Sequence, residues 1–133
     1  MSDREPLPGK FVWFELVSRD AKKAQAFYGE VLGWKTVPFP LGDFTYEMIC
    51  AGDTADTMIG GYAPPKNDRQ PAHWISYVSV DDADATIARA RKRGATIPMS
   101  PEDIPGVGRF GVLQDPTGAV LAIMKPLPME KQR

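Results

Sequence analysis

A carboxylate inside an apolar segment is the first feature of the sequence that could do chemistry. Glu15 lies in the segment FVWFELV, where the alternation of a β-strand puts it on one face with Trp13 and Val17. Removing a carboxylate from water favours its protonated form and suits it to proton transfer, so Glu15 is the candidate catalytic residue. In the alternative interpretation Glu15 is structural and pairs with Arg109 or with a tyrosine hydroxyl such as that of Tyr77, because buried charges are usually paired.

The single histidine is the second candidate. His73 lies two residues before Ile75 at the start of a predicted strand, and with Glu15 and Glu47 it could hold a displaced metal ion weakly. The alternative is a solvated or hydrogen-bonded histidine. The glycine-rich loop that ends at Arg109 lacks the Lys-Ser/Thr pair and the following helix of a phosphate-binding loop. We interpret it as a rim or lid over a cleft, with Arg109 a candidate for binding an anionic ligand group.

The elements that must position these residues occur twice. A shift of 62 positions superposes Asp20 on Asp82 and, further along and without a gap, Asp53 on Asp115. Self-similarity at a fixed offset indicates an internal repeat. Two copies are too few for a solenoid, so the sequence predicts a duplicated module closed on itself.

The pattern of each half of the sequence predicts one strand, one helix and three further strands. Asp20 and Asp82 are the predicted helix N-caps, and Gly33 supplies a left-handed stop for the first helix. Pro38 and Pro40 are expected to break the second strand. The predicted strands cover residues 10–18, 34–39, 44–50 and 57–62 and then residues 73–80, 95–99, 109–114 and 119–125, and the helices cover residues 21–32 and 83–93.

The predicted fold class is α+β, with two tandem βαβββ modules whose curved sheets enclose a central cleft. One helix covers only one face of each small sheet, so the other face is expected to bury itself against its equivalent. We predict a single domain over residues 1–133, with modules at about 10–62 and 73–126. A linker at 63–72 and a loose tail at 127–133 complete the predicted organisation.

Composition excludes several functions. The chain has 133 residues with 16 basic and 17 acidic side chains, a net charge of −1 that gives no electrostatic basis for binding nucleic acid or an anionic membrane. Cys50 is the only cysteine, so no intramolecular disulfide can form, which suits a reducing compartment. No apolar run is long enough to span a membrane or to form a signal peptide. We therefore expect a soluble, cytoplasmic protein.

Three segments carry a resemblance to a known family. They are AFYGEVLGW (residues 26–34), VDDADATIARARKRG (residues 80–94) and DPTGAVLAIMKP (residues 115–126). With the paired βαβββ pattern they resemble the vicinal oxygen chelate superfamily, the group of glyoxalases, bleomycin-resistance proteins and extradiol dioxygenases. The resemblance covers roughly residues 9–126. The resemblance indicates the fold specifically but does not indicate which reaction is catalysed, because proteins with this fold carry out many different reactions.

The resemblance implies four positions for a divalent metal, on the first and last strand of each module, that usually hold His, Glu or Gln. Carried to this sequence, the positions are Trp13, Gly60, Ile75 and Ala122. None of these side chains suits a metal, so we expect no metal cofactor and an apolar cleft. The predicted cleft residues are Trp13, Glu15, Met58, Gly60, His73, Ile75, Tyr77, Arg109, Ala122 and Met124.

Three functions follow as hypotheses. The first is metal-independent binding of a small organic molecule in an aromatic cleft, which resembles the bleomycin-resistance branch. The second is a glyoxalase-like lyase or isomerase, or a dioxygenase-like enzyme, that uses Glu15 as a base or a displaced metal. The third is a structural or regulatory module whose cleft is filled by its own side chains or by a neighbouring subunit. Members of the superfamily often dimerise, so the resemblance also implies that a homodimer is one possible assembly.

Overall fold

The computed structural model describes residues 7–53 and 57–127. These residues form two compact units, one spanning residues 13–75 and the other combining residues 76–127 with residues 7–12. The loose tail predicted at residues 127–133 falls largely outside the described residues.

The predicted fold class, α+β with two successive βαβββ patterns, agrees with the element order. The first pattern consists of β1 (Phe11–Val17), α1 (Ala21–Leu32), β2 (Lys35–Leu41), β3 (Phe44–Cys50) and β4 (Met58–Ala63). The second consists of β5 (His73–Ser79), α2 (Ala83–Lys92), β6 (Thr96–Ile104), β7 (Gly108–Gln114) and β8 (Val120–Pro126).

Module one has the strand order β2-β3-β4-β1, in which β1 and β4 are parallel and the other neighbours antiparallel. Its core forms where the sheet meets α1: Leu16, Ile49 and Tyr62 are buried, with Ala24 and Tyr28 of the helix packed against them. The α1 N-terminus begins as predicted, because the Asp20 carboxylate accepts a hydrogen bond from the Lys23 amide at 3.1 Å.

Module two repeats this arrangement with the strand order β5-β8-β7-β6. Strands β5 and β8 are parallel, and the remaining neighbours are antiparallel. Ala83 and Ile87 of α2 are buried against Ile123 of β8. The Asp82 carboxylate caps α2 by accepting from the Ala85 amide at 2.9 Å, as the sequence predicts.

The second strand of each module is longer than predicted. Strand β2 continues through Pro38 and Pro40 to Leu41, and β6 continues past Met99 through Pro101. Each strand lies at the end of its module's strand order and pairs with one neighbour only. Proline cannot donate to a strand ladder, but at an edge it needs no partner on the outer side. The prediction that Pro38 and Pro40 break the second strand was therefore wrong.

A β-bulge changes the repeat in the last strand of module one. Ile49 lies opposite Gly60, but the next residue of β3, Cys50, lies opposite Met58. Strand β4 thus contains one extra residue, which shifts the alternation of its faces. Glu15 consequently lies opposite Gly61, whereas Tyr77 of module two lies opposite Ala122. The predicted constant offset of 62 residues is therefore wrong for the last strand, where it falls to 61.

Within the described ranges, no helix is both long and apolar enough to cross a membrane.

Candidate functional site

Three side chains of module one form a hydrogen-bonded group at the predicted catalytic residue. The indole Nε1–H of Trp13 donates to the Tyr46 hydroxyl at 3.0 Å, and that hydroxyl donates to Glu15 Oε2 at 2.7 Å. An indole nitrogen can only donate, so the tyrosine oxygen must accept from Trp13. Its hydrogen is then directed to Glu15 Oε2, which accepts it.

Tyr46, which hydrogen-bonds Glu15, is not among the site residues predicted from the sequence. Tyr46 lies on β3, which pairs with β4 and is separated from β1 by that strand. The alternation of β3 predicts that Tyr46 and Met48 share one face of the strand. The sequence does not show which strand lies beside β3, because the pairing of β3 with β4 forms only in the folded sheet.

Gly61 makes room for this group. A Cβ atom on Gly61 would lie 2.2 Å from both the ring tip and the hydroxyl of Tyr46, so only glycine leaves the tyrosine in its present position. Met48 lies opposite Gly61 on β3 and shares its face. We call the surface formed by Trp13, Glu15, Tyr46, Met48 and Gly61 the Trp13 face. The first four of these residues are half-buried.

The bulge corrects one predicted position. Gly60 lies opposite Phe14 and Ile49, on the face that packs on α1, and is not on the Trp13 face. The residue equivalent to Ala122 is therefore Gly61. Met58 lies opposite Cys50 beyond the bulge, and because Cys50 alternates with Ile49 it belongs to the face of Met48.

In module two, the predicted cleft residues come together but have little exposed surface. Tyr77 lies opposite Ala122, and Met124 lies opposite both Ser79 and Phe110. The Tyr77 and Phe110 rings are 6.1 Å apart. Ala122 is fully buried, while Tyr77 and Met124 are 8% and 9% exposed. These side chains therefore form part of the interior and offer a ligand much less surface than the Trp13 face.

Arg109 is engaged on the helix-bearing side of module two. Its guanidinium donates Nε–H and one terminal N–H to Asp84 of α2, at 2.8 and 3.1 Å, and another to Asp103 of β6 at 3.1 Å. The prediction that Arg109 faces the cleft, as a partner of Glu15 or of an anionic ligand, was wrong. The interpretation missed Asp84 because the two residues approach only when α2 packs on β7.

Arg109 makes the stability of the protein depend on pH. Its hydrogen bonds lower the pKa of Asp84 below the ordinary value of 3.8. A lowered folded-state pKa contributes stability above pH 3.8, and this contribution is lost as the pH falls through the folded-state pKa. We expect Asp84→Asn to lower the urea midpoint at neutral pH, with the difference from wild type shrinking in acid. Asp43→Asn, at an exposed aspartate, is the control. If the urea midpoints of Asp84→Asn and wild type differed by the same amount at neutral and acidic pH, the pH dependence assigned to the Arg109–Asp84 pair would be contradicted.

His73 and Ile75 are half-buried at the beginning of β5. The His73 Nδ1 atom lies 2.8 Å from the Pro71 carbonyl oxygen, which can only accept, so the ring donates its Nδ1–H there. This matches the hydrogen-bonded alternative for His73.

The donor atoms available do not fit a divalent metal of the kind the resemblance implies. The corrected positions are Trp13, Gly61, Ile75 and Ala122, and none offers an oxygen, sulfur or unprotonated nitrogen on its side chain. In the part of the chain that the structure describes, no three His, Cys, Asp or Glu residues are grouped so that they could hold a metal ion.

A groove of about 400 Å³ lies away from all the predicted site residues. It runs along one side of α2, from the N-cap Asp82 to Arg89 in the last turn, and Ser79 and Gly9 also line it. The Gly9 amide donates to the Ser79 carbonyl at 2.7 Å, which joins the chain ahead of β1 to β5 at this groove.

Comparison with known families agrees with the fold. The model of the Glyoxalase/Bleomycin resistance protein/Dioxygenase superfamily matches residues 10–123. The chain belongs to this superfamily. Among curated proteins, "Putative glyoxylase CFP32" of Mycobacterium tuberculosis is 40% identical over 124 residues, which are 92% of this chain and 46% of that protein. "Anthracycline biosynthesis protein DnrV" of Streptomyces peucetius is 33% identical over 135 residues, covering 92% of this chain and 49% of that protein.

This glyoxalase-superfamily chain thus spans about half the length of the curated relatives it matches. Among solved structures, methylmalonyl-CoA epimerase from Mycobacterium tuberculosis superposes with a TM-score of 0.65 at 16% identity, covering 94% of this chain and 92% of the epimerase. The Mn(II)-bound glyoxalase from Novosphingobium aromaticivorans gives 0.60 at 15% identity, covering 89% of this chain and 39% of that one. At such identities the likeness concerns the fold.

Proposed function

We propose that this glyoxalase-superfamily protein binds a planar organic molecule on the Trp13 face without a metal ion. The hydrogen-bonded group of Trp13, Tyr46 and Glu15 is the observation that carries the proposal. It puts the Trp13 indole at one position where the resemblance implies a metal ligand, and the Tyr46 ring against another, Gly61. The same group fixes the orientation of both rings before any ligand arrives.

Fixed aromatic rings are well suited to a flat ligand. Their faces bury a large area by stacking, and little side-chain entropy is lost because both polar ends are already engaged. Met48 adds an adaptable apolar surface beside Tyr46. The Glu15 carboxylate at the edge favours a ligand that carries a cationic or hydrogen-bond-donating group next to its ring system.

Two relatives support this chemical class. DnrV and its counterpart DauV are named for anthracycline biosynthesis, and anthracyclines are planar polycyclic compounds. An amino-sugar anthracycline also carries the cationic group that the Glu15 carboxylate favours.

The proposal is tested with doxorubicin as the probe, on untagged protein whose metal content has been measured by plasma mass spectrometry. We expect well under one metal ion per chain and a saturable fluorescence change that EDTA leaves unaltered. Binding that is lost in EDTA and restored by Zn²⁺ or Mn²⁺ would overturn metal independence. No binding by doxorubicin, and none in a thermal-shift screen of planar compounds, would favour a structural module instead.

A second function, catalysis with Glu15 as the base, is favoured by one observation. The Tyr46 hydroxyl donates to Glu15 Oε2 and thereby holds the side chain of the candidate base in a fixed orientation. The test compares wild type with Glu15→Gln on the hemithioacetal of glutathione and methylglyoxal, with thioester formation as the readout. Turnover in wild type that disappears in Glu15→Gln, while the fold is retained, would establish the enzyme. Equal absence of turnover in both would leave ligand binding as the function.

A further inference from the structure

The groove beside α2 shares no residue with the Trp13 face. Its volume of about 400 Å³ is in the range of pockets that hold small organic molecules. We call it the α2 groove. One wall is a single side of the helix, on which Asp82, Ala85, Thr86 and Arg89 follow one another at helical spacing. The other lining residues are Pro8, Gly9, Ser79, Val80 and Asp81.

The second wall of the α2 groove is held in place by backbone hydrogen bonds. Residues 7–10 form a β-turn, in which the Lys10 amide donates to the Leu7 carbonyl at 3.2 Å and Gly9 has a φ of 91°. The Gly9 amide donates to the Ser79 carbonyl at 2.7 Å, and the Ser79 amide donates to the Lys10 carbonyl at 2.8 Å. A groove formed in advance costs little conformational entropy when a ligand binds.

The two ends of the α2 groove carry opposite charges. Asp81 and the N-cap Asp82 lie at the beginning of α2, and Arg89 lies in its last turn. Among residues 7–53 and 57–127, neither Asp81 nor Arg89 forms an ion pair. The helix cannot supply a partner to Arg89, because the positions three and four residues away from it hold no carboxylate. A ligand with a cation at one end and an anion at the other would pair with both.

We propose that the α2 groove binds a short peptide with free termini, with the peptide ammonium group at Asp81 and Asp82 and the peptide carboxylate at Arg89. Asp82 and Arg89 are seven residues apart, which is about 10 Å along the helix axis. An extended chain of three residues also spans about 10 Å. The separation of the two charged ends thus matches a free tripeptide.

The lining of the α2 groove favours this class over other small ligands. A polyanion would meet Asp81 and Asp82, and a polyamine would meet Arg89, so each would have like charges at one end. None of the lining residues is aromatic, which gives a planar ring system no stacking partner. Thr86 lies between the charged ends, where its hydroxyl can donate to or accept from a peptide group.

Isothermal titration calorimetry of the full chain with trialanine tests the proposal. We expect saturable binding of trialanine and none of N-acetyl-trialanine amide, which keeps the peptide backbone but lacks both terminal charges. Dialanine is too short to reach both ends and should bind about 10-fold more weakly or less. Arg89→Gln and Asp81→Asn should each weaken trialanine binding by about 10-fold, because each removes one charge-assisted contact.

Arg91→Gln is the matched control, since Arg91 is an exposed arginine of the same helix that does not line the groove. It should leave trialanine affinity unchanged. Ala85→Phe places a ring in the groove and should abolish binding, with circular dichroism verifying that each variant is folded. Absence of saturable trialanine binding by the wild type would overturn the proposal. Equal affinity for the blocked peptide, or equal losses in Arg91→Gln and Arg89→Gln, would contradict it as well.

Discussion

Replacing Gly60 with alanine is expected to destabilise the protein by roughly 3 kcal/mol or more. A Cβ atom at this position would lie 1.8 Å from the Phe14 carbonyl oxygen and 2.9 Å from its carbonyl carbon. Both are backbone atoms of β1, which pairs with β4 at this point, so no side chain can move aside to relieve the clash. The two strands would have to separate beside the bulge.

Urea denaturation of Gly60→Ala and Gly29→Ala provides a matched comparison within module one. The Cβ of an alanine at Gly29 would meet only the Trp34 carbonyl oxygen, at an ordinary 3.5 Å. Because alanine favours a helix more than glycine does, Gly29→Ala should be neutral or stabilising by about 0.5–1 kcal/mol. Similar unfolding free energies for the two variants would show that β1 and β4 do not approach as described here.

Replacing Trp13 with alanine is expected to weaken binding of the planar probe by about 30-fold or more. The substitution removes the largest stacking surface of the Trp13 face. It also leaves the Tyr46 hydroxyl without one of its donors, which loosens the second ring. The dissociation constant is measured by fluorescence titration with doxorubicin, at a temperature where the variant is folded.

Trp74→Ala is the control for this prediction. Trp74 is also a partly exposed tryptophan of residues 13–75, but its indole contacts Tyr28 and Trp34 beside α1. Its removal should leave probe affinity per chain unchanged. Equal losses in both variants would show that the probe reports general surface stacking and would remove support for a site at Trp13.

The elements of secondary structure followed from short-range signals. Asp20 and Asp82 both cap their helices, and α1 ends at Gly33, which adopts a φ of 75°. Strand β3 has the predicted bounds, Phe44–Cys50. These features depend on neighbouring residues, so a one-dimensional pattern contains the information that decides them.

The departures arise where strands and helices meet. Proline is tolerated in β2 because that strand lies at an edge, and an edge is a property of the sheet. The bulge opposite Ile49 and Cys50 exchanges Gly60 for Gly61 on the Trp13 face, and only the register of two strands reveals it. A single extra residue moves every later side chain of a strand to the opposite face.

The sequence by itself therefore determined the superfamily, the two βαβββ patterns, the helix caps and the unusual carboxylate Glu15. Only the tertiary structure decided the partners of the charged groups. Glu15 is hydrogen-bonded to Tyr46, which is 31 residues away in the chain, and Arg109 to Asp84, which is 25 residues away. Alternation along a strand tells which side chains share a face. Which neighbouring strand or helix supplies the partner depends on long-range pairing and packing, which local patterns do not encode.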